Sequence, residues 1–358
     1  MRNVTDTHPQ NLPKFLPTRE ALAVYRSAFG QRPVMNPGSA NVALLDLEPK
    51  EPEFFSELVS GLSQHPRTLP CKFFYDKQGA ELFQAICETP EYYVTRTELK
   101  ILQECGPDMA SHLGEAVELI GLGTGAGTKT RILLTQLTDP AVYVPVDISS
   151  AQLRRSTTLF RQLFPHLEIL PVCADYLQPF PLPTPTHQPK RKVVYFPGST
   201  IGNFDPPEAI GFLQRIALVC RPGGGLLIGV DLKKDPVTLE KAYNDAQGVT
   251  AAFNLNLLAR ANRELGANFD LHLWKHRAIY NPTAGRIEMN LVSLCDQLVT
   301  IRDHQFFFKN DEPIITEYSY KHSPEEFENM ARSAGFALRK VWTDTQKLFG
   351  VFYFDLLP

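Results

Sequence analysis

Between Glu51 and Leu113, apolar residues recur mostly three and four apart, the spacing of one helical face. The stretch "EPEFFSELVSGLSQ" reads as one helix, and "LPCKFFYDKQGAELFQAICETPEYYVTRTELKILQECGPDMASHL" carries more. Pro90 in "TPEYY" ends one of these and "TRTELKIL" starts the next, because proline brings no N–H to the helical ladder. At Ala116 the period changes. "AVELIGLGTGAGTKTRILLTQL" predicts a short apolar strand, a glycine-rich turn, and a helix with Leu133, Leu134 and Leu137 at core spacing. "AVYVPVDIS" is a second strand ending in an acid, followed by the helix "SAQLRRSTTLFRQLF"; "LEILPVCADY" is a third strand ending the same way. After the proline-rich "PFPLPTPTHQPKRK" come a fourth strand, "VVYFPGSTIGNF", the helix "PPEAIGFLQRIALVC", and a turn and fifth strand in "RPGGGLLIGVDLKK". Strands alternating with helices imply βαβ units, hence a parallel sheet covered on both faces.

From Asp235 to about Tyr320 the alternation stops. "TLEKAYNDAQGVTAAFNLNLLARANRELGA" reads as helical, and "FDLHLWKHRAIYNPTAGRIEMNLVSLCDQLVTI" as antiparallel strands turning at "NPTAG". The tail returns with the helix "SPEEFENMARSAGF", whose Ser323 and Glu326 have capping-box spacing, and a last hairpin in "LRKVWTDTQKLFGVFYFDL". The simplest architecture is a doubly wound core, 97–235 plus 321–358, interrupted by a second domain of 46–96 plus 236–320. Residues 1–45 form an N-terminal extension, rich in Pro, Asn and Thr, with a short helix expected around "TREALAVYRSAF".

Composition narrows the class. A chain of 358 residues with 43% hydrophobic and 21% charged residues is an ordinary globular protein, and a net charge of −3 gives no footprint for nucleic acid or an acidic membrane. No apolar run approaches the ~18 residues that span a bilayer. The first residues, "MRNVTDTHPQNLPKF", lack the apolar core of a secretory signal. Six singly placed cysteines point to reduced thiols and a cytoplasmic home, and nine histidines show no metal-binding spacing. With no heptad pattern, a monomer is expected.

The glycine loop (Gly121, Gly123, Thr124) opens a helix, where backbone N–H groups point outward at a nucleotide-like ligand. Asp147, ending the second strand, sits where an acid binds ribose hydroxyls. Asp175 ends the third, placed to accept from an adenine amino group with Tyr176 on the ring. A ribose acid plus an adenine acid suits S-adenosylmethionine better than NAD, so a methyltransferase is expected over an NAD-dependent oxidoreductase. S-adenosylhomocysteine would be the product form.

Several stretches then carry a resemblance: "KFFYDKQGAELFQAICETPEYYVTRTE", "FPGSTIGNF", "DLKKD", "KAYNDAQGVTAAFN" and "RIEMNL". From about Glu51 to Pro358 the chain resembles the histidine-specific Nα-methyltransferases of ergothioneine biosynthesis, with a glycine loop one residue longer. The resemblance implies an α/β fold: a Rossmann-like class I S-adenosylmethionine-dependent methyltransferase core with an inserted α+β substrate-binding domain. It implies trimethylation of the α-amino group of L-histidine to hercynine. By the same resemblance, Asn203 and Tyr243 grip the substrate carboxylate, Tyr92 stands beside the α-nitrogen, Tyr75 lines the pocket, and Gly198 lets backbone approach substrate. Lys129 and Arg96 close the cofactor end, while Tyr93 is read as aromatic packing with its hydroxyl at the surface.

In "PIITEYSYKH", Glu317, Ser319 and Lys321 share one face of a strand, because side chains alternate. The resemblance puts that face against the substrate, with Met289, Glu317 and Ser319 holding the imidazole. A related branch methylates tryptophan or its prenylated derivative; an indole would need a larger, apolar pocket. A third possibility, a scaffold that keeps the fold without catalysis, would have lost Asp147, Asn203 or Tyr92, and all three are present.

Overall fold

The computed structural model describes residues 44–47, 52–123, 125 and 127–357; the helix expected around residues 18–29 and the candidate Thr124 lie outside them. In chain order the elements are β1 (Leu45–Asp46), α1 (Pro52–Ser63), β2 (Arg67–Thr68), α2 (Lys77–Glu88) and α3 (Tyr93–Leu113). The core follows: β3 (Val117–Leu122), α4 (Thr128–Gln136), β4 (Val142–Asp147), α5 (Ser150–Leu163), β5 (Glu168–Ile169), β6 (Val172–Cys173), β7 (Arg191–Phe196), α6 (Pro206–Cys220) and β8 (Gly225–Asp231). Next come α7 (Pro236–Tyr243), α8 (Val249–Leu265), β9 (Trp274–Asn281), β10 (Arg286–Ser293), β11 (Gln297–Ile301), β12 (His304–Phe308) and β13 (Pro313–Tyr320). The chain closes with α9 (Pro324–Ser333), β14 (Phe336–Thr343) and β15 (Phe349–Leu356).

The main sheet runs β1-β6-β4-β3-β7-β8-β15-β14, with β5 beside β4. β6, β4, β3, β7 and β8 are parallel, and β15 lies antiparallel between β8 and β14. β3, β4 and β8 are buried from end to end, as expected of strands covered on both faces. Leu119 packs into one apolar layer and its neighbour Ile120 into the other, the two-residue period at work. From β3 the chain winds outward through β4 to β6, then returns to β7 on the other side. That reversal opens a crevice beyond the carboxyl ends of β3, β4 and β7, where such sheets bind ligands.

Two expected elements come out divided. The third strand splits into β5 and β6 at Leu170–Pro171, where proline has no N–H for the ladder. The long helix after Asp235 breaks into α7 and α8; Asp245 accepts from the N–H groups of Val249 and Thr250 at 2.8 and 2.7 Å and starts the second piece afresh. Asp46, which the sequence division groups with the second domain, pairs with Cys173 at the edge of the core sheet.

A second sheet, β2-β13-β10-β9, stands over the crevice. Met289 faces Glu317 across it, and a bulge follows, since Asn290 is next paired with Ile315. A 3-10 turn, Thr200–Asn203, joins the sheets: a Cβ on Gly202 would stand 2.7 Å from the Tyr320 carbonyl oxygen. The capping box at Ser323 and Glu326 has both of its hydrogen bonds.

Candidate active site

At the carboxyl end of β3 the loop bends through Gly123, Gly125 and Gly127, with φ of +59°, +52° and +76°. Side chains other than glycine rarely adopt this region. A Cβ at Gly127 would meet the Phe160 ring at 2.5 Å, and one at Gly123 would touch Tyr176 at 3.4 Å. Gly121 lies one residue before the end of β3, between Pro145 and Tyr195, so its backbone belongs to the ladder rather than the turn. Asp147 closes β4, and its two oxygens accept from the Gly125 and Ser149 N–H groups, both at 3.0 Å. Burial raises its pKa and those backbone donors oppose the rise. Each oxygen keeps a further lone pair for a hydroxyl donor. Asp175 accepts from the Leu177 N–H at 2.9 Å, with the Lys72 ammonium 3.9 Å from its other oxygen. Tyr176 lies close enough to feel Cys71, Asp147 and Asp175. Acceptors for a ribose diol and an exocyclic amine, an aromatic ring and the start of α4 thus meet at the crevice. That chemistry fits the adenosyl end of S-adenosylmethionine.

Tyr75, Tyr92, Met289 and Glu317 converge at the second sheet, and the space among them is the candidate substrate cavity. Tyr75 is 40% exposed, yet its hydroxyl has Glu317, Cys71 and Tyr176 as neighbours, so it lines an interior space. Tyr92 stands edge-on to Tyr243 at 6.2 Å and to Phe83 at 6.3 Å. Burial, with Tyr243, Cys87, Tyr75 and Glu317 nearby, pushes the Tyr92 hydroxyl well above the usual tyrosine range. Burial likewise pushes Glu317 up to about 7, with Lys321 opposing. Among the described residues, neither the Glu317 carboxylate nor the hydroxyls of Tyr75 and Tyr92 have a hydrogen-bond partner. The half-buried carboxylate, with no donor from the protein, is open to a donor on a ligand. Asn203, at the end of the 3-10 turn, directs its amide at Cys71 Sγ, 3.9 Å away, and Cys71 in turn feels Glu317. Met289 is 2% exposed and lies next to Glu317 on the same face of the second sheet.

Behind the cavity lies a charged cluster. The Lys321 ammonium reaches Asp231 Oδ2 at 2.8 Å, Ser319 Oγ at 2.7 Å and Tyr243 Oη at 2.9 Å, and the two hydroxyls are themselves 2.9 Å apart. The other Asp231 oxygen takes Lys234 at 2.6 Å. Tyr93 departs from its expected surface position: its hydroxyl is buried and donates to Asp231 at 2.8 Å, because the turn at Pro90 aims it inward at the end of β8. Arg96 also differs from expectation. Its guanidinium donates to the carbonyls of Thr89, Pro90 and Tyr92, so it clamps the turn that presents Tyr92. Lys129 pairs at 2.6 Å with Glu98, a fully buried carboxylate whose oxygens also accept from the Gly198 N–H at 3.1 and 3.0 Å. Gly198 holds φ of +85°, leaving its loop free of a side chain there.

A model of the histidine-specific, S-adenosylmethionine-dependent methyltransferases matches residues 54–356. The chain belongs to that family. It is 40% identical over 300 residues to a histidine N-alpha-methyltransferase of Mycolicibacterium smegmatis, covering 82% of this chain and 92% of that one. It is 31% identical over 296 residues to ergothioneine biosynthesis protein 1 of Neurospora crassa, which covers 78% of this chain but only 32% of that longer protein. A 4-dimethylallyltryptophan N-methyltransferase of Claviceps purpurea is 26% identical over 313 residues. The fold is the Rossmann-like class I core expected of this methyltransferase family, with the added sheet over its crevice.

Of the residues singled out from sequence, Tyr75, Tyr92, Asn203, Tyr243, Met289, Glu317 and Ser319 gather around the cavity, and Gly123, Asp147, Asp175 and Tyr176 around the loop. Lys321, Asp231, Cys71 and Glu98 were not among them. Strand alternation already put Lys321 on the face of Glu317 and Ser319, and its full burial there is rare for a lysine.

Proposed function

We propose that this methyltransferase trimethylates the α-amino group of L-histidine to hercynine, the first step of ergothioneine biosynthesis, with S-adenosylmethionine as methyl donor. The observation that carries this reading is the half-buried Glu317 carboxyl, without a hydrogen-bond partner among the described residues, next to Met289 and near Tyr92 and Tyr75. An imidazole offers an N–H to Glu317 and a second nitrogen that can accept from Ser319; an indole is larger and has no second nitrogen.

When bound, S-adenosylmethionine supplies an already activated methyl group for direct transfer to an amine. The chain's own task is therefore placement, which can supply several kcal/mol of the barrier. In this reading Asn203 and Tyr243 hold the substrate carboxylate, Glu317 and Ser319 the imidazole, and Tyr75 and Gly198 bound the space between. Tyr92 stays protonated because of its burial, so it orients the α-nitrogen by hydrogen bonding rather than removing its proton. Asp147, Asp175, Tyr176 and the loop of Gly123 and Thr124, which follows Gly121 at the end of β3, hold the donor, with Lys129 bracing the Gly198 loop through Glu98. Residues 46–96 and 236–320 act as a substrate-binding domain on a core of 97–235 and 321–358. The reading extends to a monomer in the cytoplasm. Among the described residues the six cysteines are free and no helix is long and apolar enough to cross a membrane.

The test is mass spectrometry of histidine and tryptophan incubated separately with the protein and S-adenosylmethionine. A histidine product heavier by three CH₂ units is expected; tryptophan methylation with inert histidine would overturn the reading.

A further inference from the structure

The buried cluster behind the cavity does more than neutralise itself. A lysine ammonium has three N–H donors and no acceptor. Lys321 directs one at Asp231, one at Ser319 Oγ and one at Tyr243 Oη, so all three are committed. Burial alone would lower its pKa, but Asp231 and Tyr243 raise it further, so it remains an ammonium. Each of the two hydroxyl oxygens therefore already accepts a hydrogen bond from Lys321. Their mutual contact at 2.9 Å occupies one hydroxyl proton and leaves the other available. When acceptors arrive in the cavity, both hydroxyls can turn outward, and neither oxygen is left without a donor. Without Lys321, turning outward would break the one bond that satisfies the pair. The cluster of Asp231, Lys234 and Lys321 also carries one net positive charge, complementary to a carboxylate.

We propose that Lys321, held in place by Asp231, is a positioning residue that makes Ser319 and Tyr243 a pair of hydrogen-bond donors aimed at the amino-acid substrate. The pair thereby selects ligands presenting acceptors, such as a carboxylate oxygen and an unprotonated imidazole nitrogen. The inference rests on the histidine reading above and adds a residue to which that reading gives no role.

The test is calorimetric titration of histidine into the full-length protein saturated with S-adenosylhomocysteine. It compares wild type, Lys321→Met, in which Asp231 keeps Lys234 and Tyr93 as partners, and the double variant Asp231→Asn/Lys321→Met, which removes the two charges of the Lys321–Asp231 pair together. Lys321→Met should weaken histidine by about 30-fold, as expected for losing a charged donor behind the contact, with S-adenosylhomocysteine affinity unchanged within about threefold. The double variant should remain equally weak for histidine. In turnover assays the loss should fall mainly on KM for histidine rather than kcat, a split that general loosening of the fold would not give. Histidine affinity in Lys321→Met close to wild type, or its recovery in the double variant, would overturn the inference while leaving the histidine reading intact. Loss of S-adenosylhomocysteine binding in both variants would make Lys321 a residue that merely holds the fold, overturning it equally. A wild type that binds no histidine would sink the reading, and the inference with it.

Discussion

Replacing Glu317 by glutamine should make the ligand-free protein more stable and less useful. Burial lifts the Glu317 carboxyl from an ordinary 4.5 to about 7, with Lys321 opposing the rise. The folded state thus holds this proton more tightly than the unfolded chain. A raised carboxyl pKa contributes stability that is complete below the unfolded value and is lost as pH climbs through the folded one. The full loss is about 3 kcal/mol at 1.36 kcal/mol per unit, of which about 2.5 kcal/mol falls between about pH 5 and pH 8.5. Glutamine does not titrate. At roughly 2.1 cal/mol/K per residue, the variant's Tm advantage over wild type should grow by about 3 °C over that interval. Scanning calorimetry of both proteins without ligands measures it. Histidine added with S-adenosylhomocysteine should then raise the wild-type Tm more than the variant's, since its imidazole completes the carboxylate. A Tm gap that does not move with pH would show that Glu317 is already satisfied inside the protein and needs no imidazole partner.

Tyr92→Phe should slow methylation by about tenfold, most clearly at the last of the three additions, as expected from loss of one orienting hydrogen bond; equal rates for all three, read by time-resolved mass spectrometry, would refute the role. Asp147→Asn cannot accept from both the Gly125 and Ser149 N–H groups. S-adenosylhomocysteine binding, followed by calorimetry, should weaken by at least about tenfold. Arg96→Ala frees the three carbonyls of the turn before Tyr92. KM for histidine should rise about tenfold while cofactor affinity holds, because the clamp acts on the turn and not on the nucleotide loop. An unchanged KM would return Arg96 to a surface role.

The order of periods along the chain determined most of the fold. Burial on both faces needs continuous apolar runs, and "VELIGL", "VYVPVD" and "GLLIGVD" supplied them, so the parallel sheet could be read directly. The glycine loop and the acids that end two strands were legible for the same reason: strand ends and helix starts fix where backbone and side chain point. The alternation of "PIITEYSYKH" put Glu317, Ser319 and Lys321 on one face, but whether that face met water or an interior was not written there. Only the packing of the second sheet over the crevice decided it, by bringing Glu317 beside Tyr75 and Tyr92 and burying Lys321 against Asp231, which comes from a strand ninety residues earlier in the chain. Local pattern sets which side chains share a face; what that face touches depends on distant segments. The inward turn of Tyr93, the hold of Arg96 on the Tyr92 turn and the Lys129–Glu98 pair were all settled at that level.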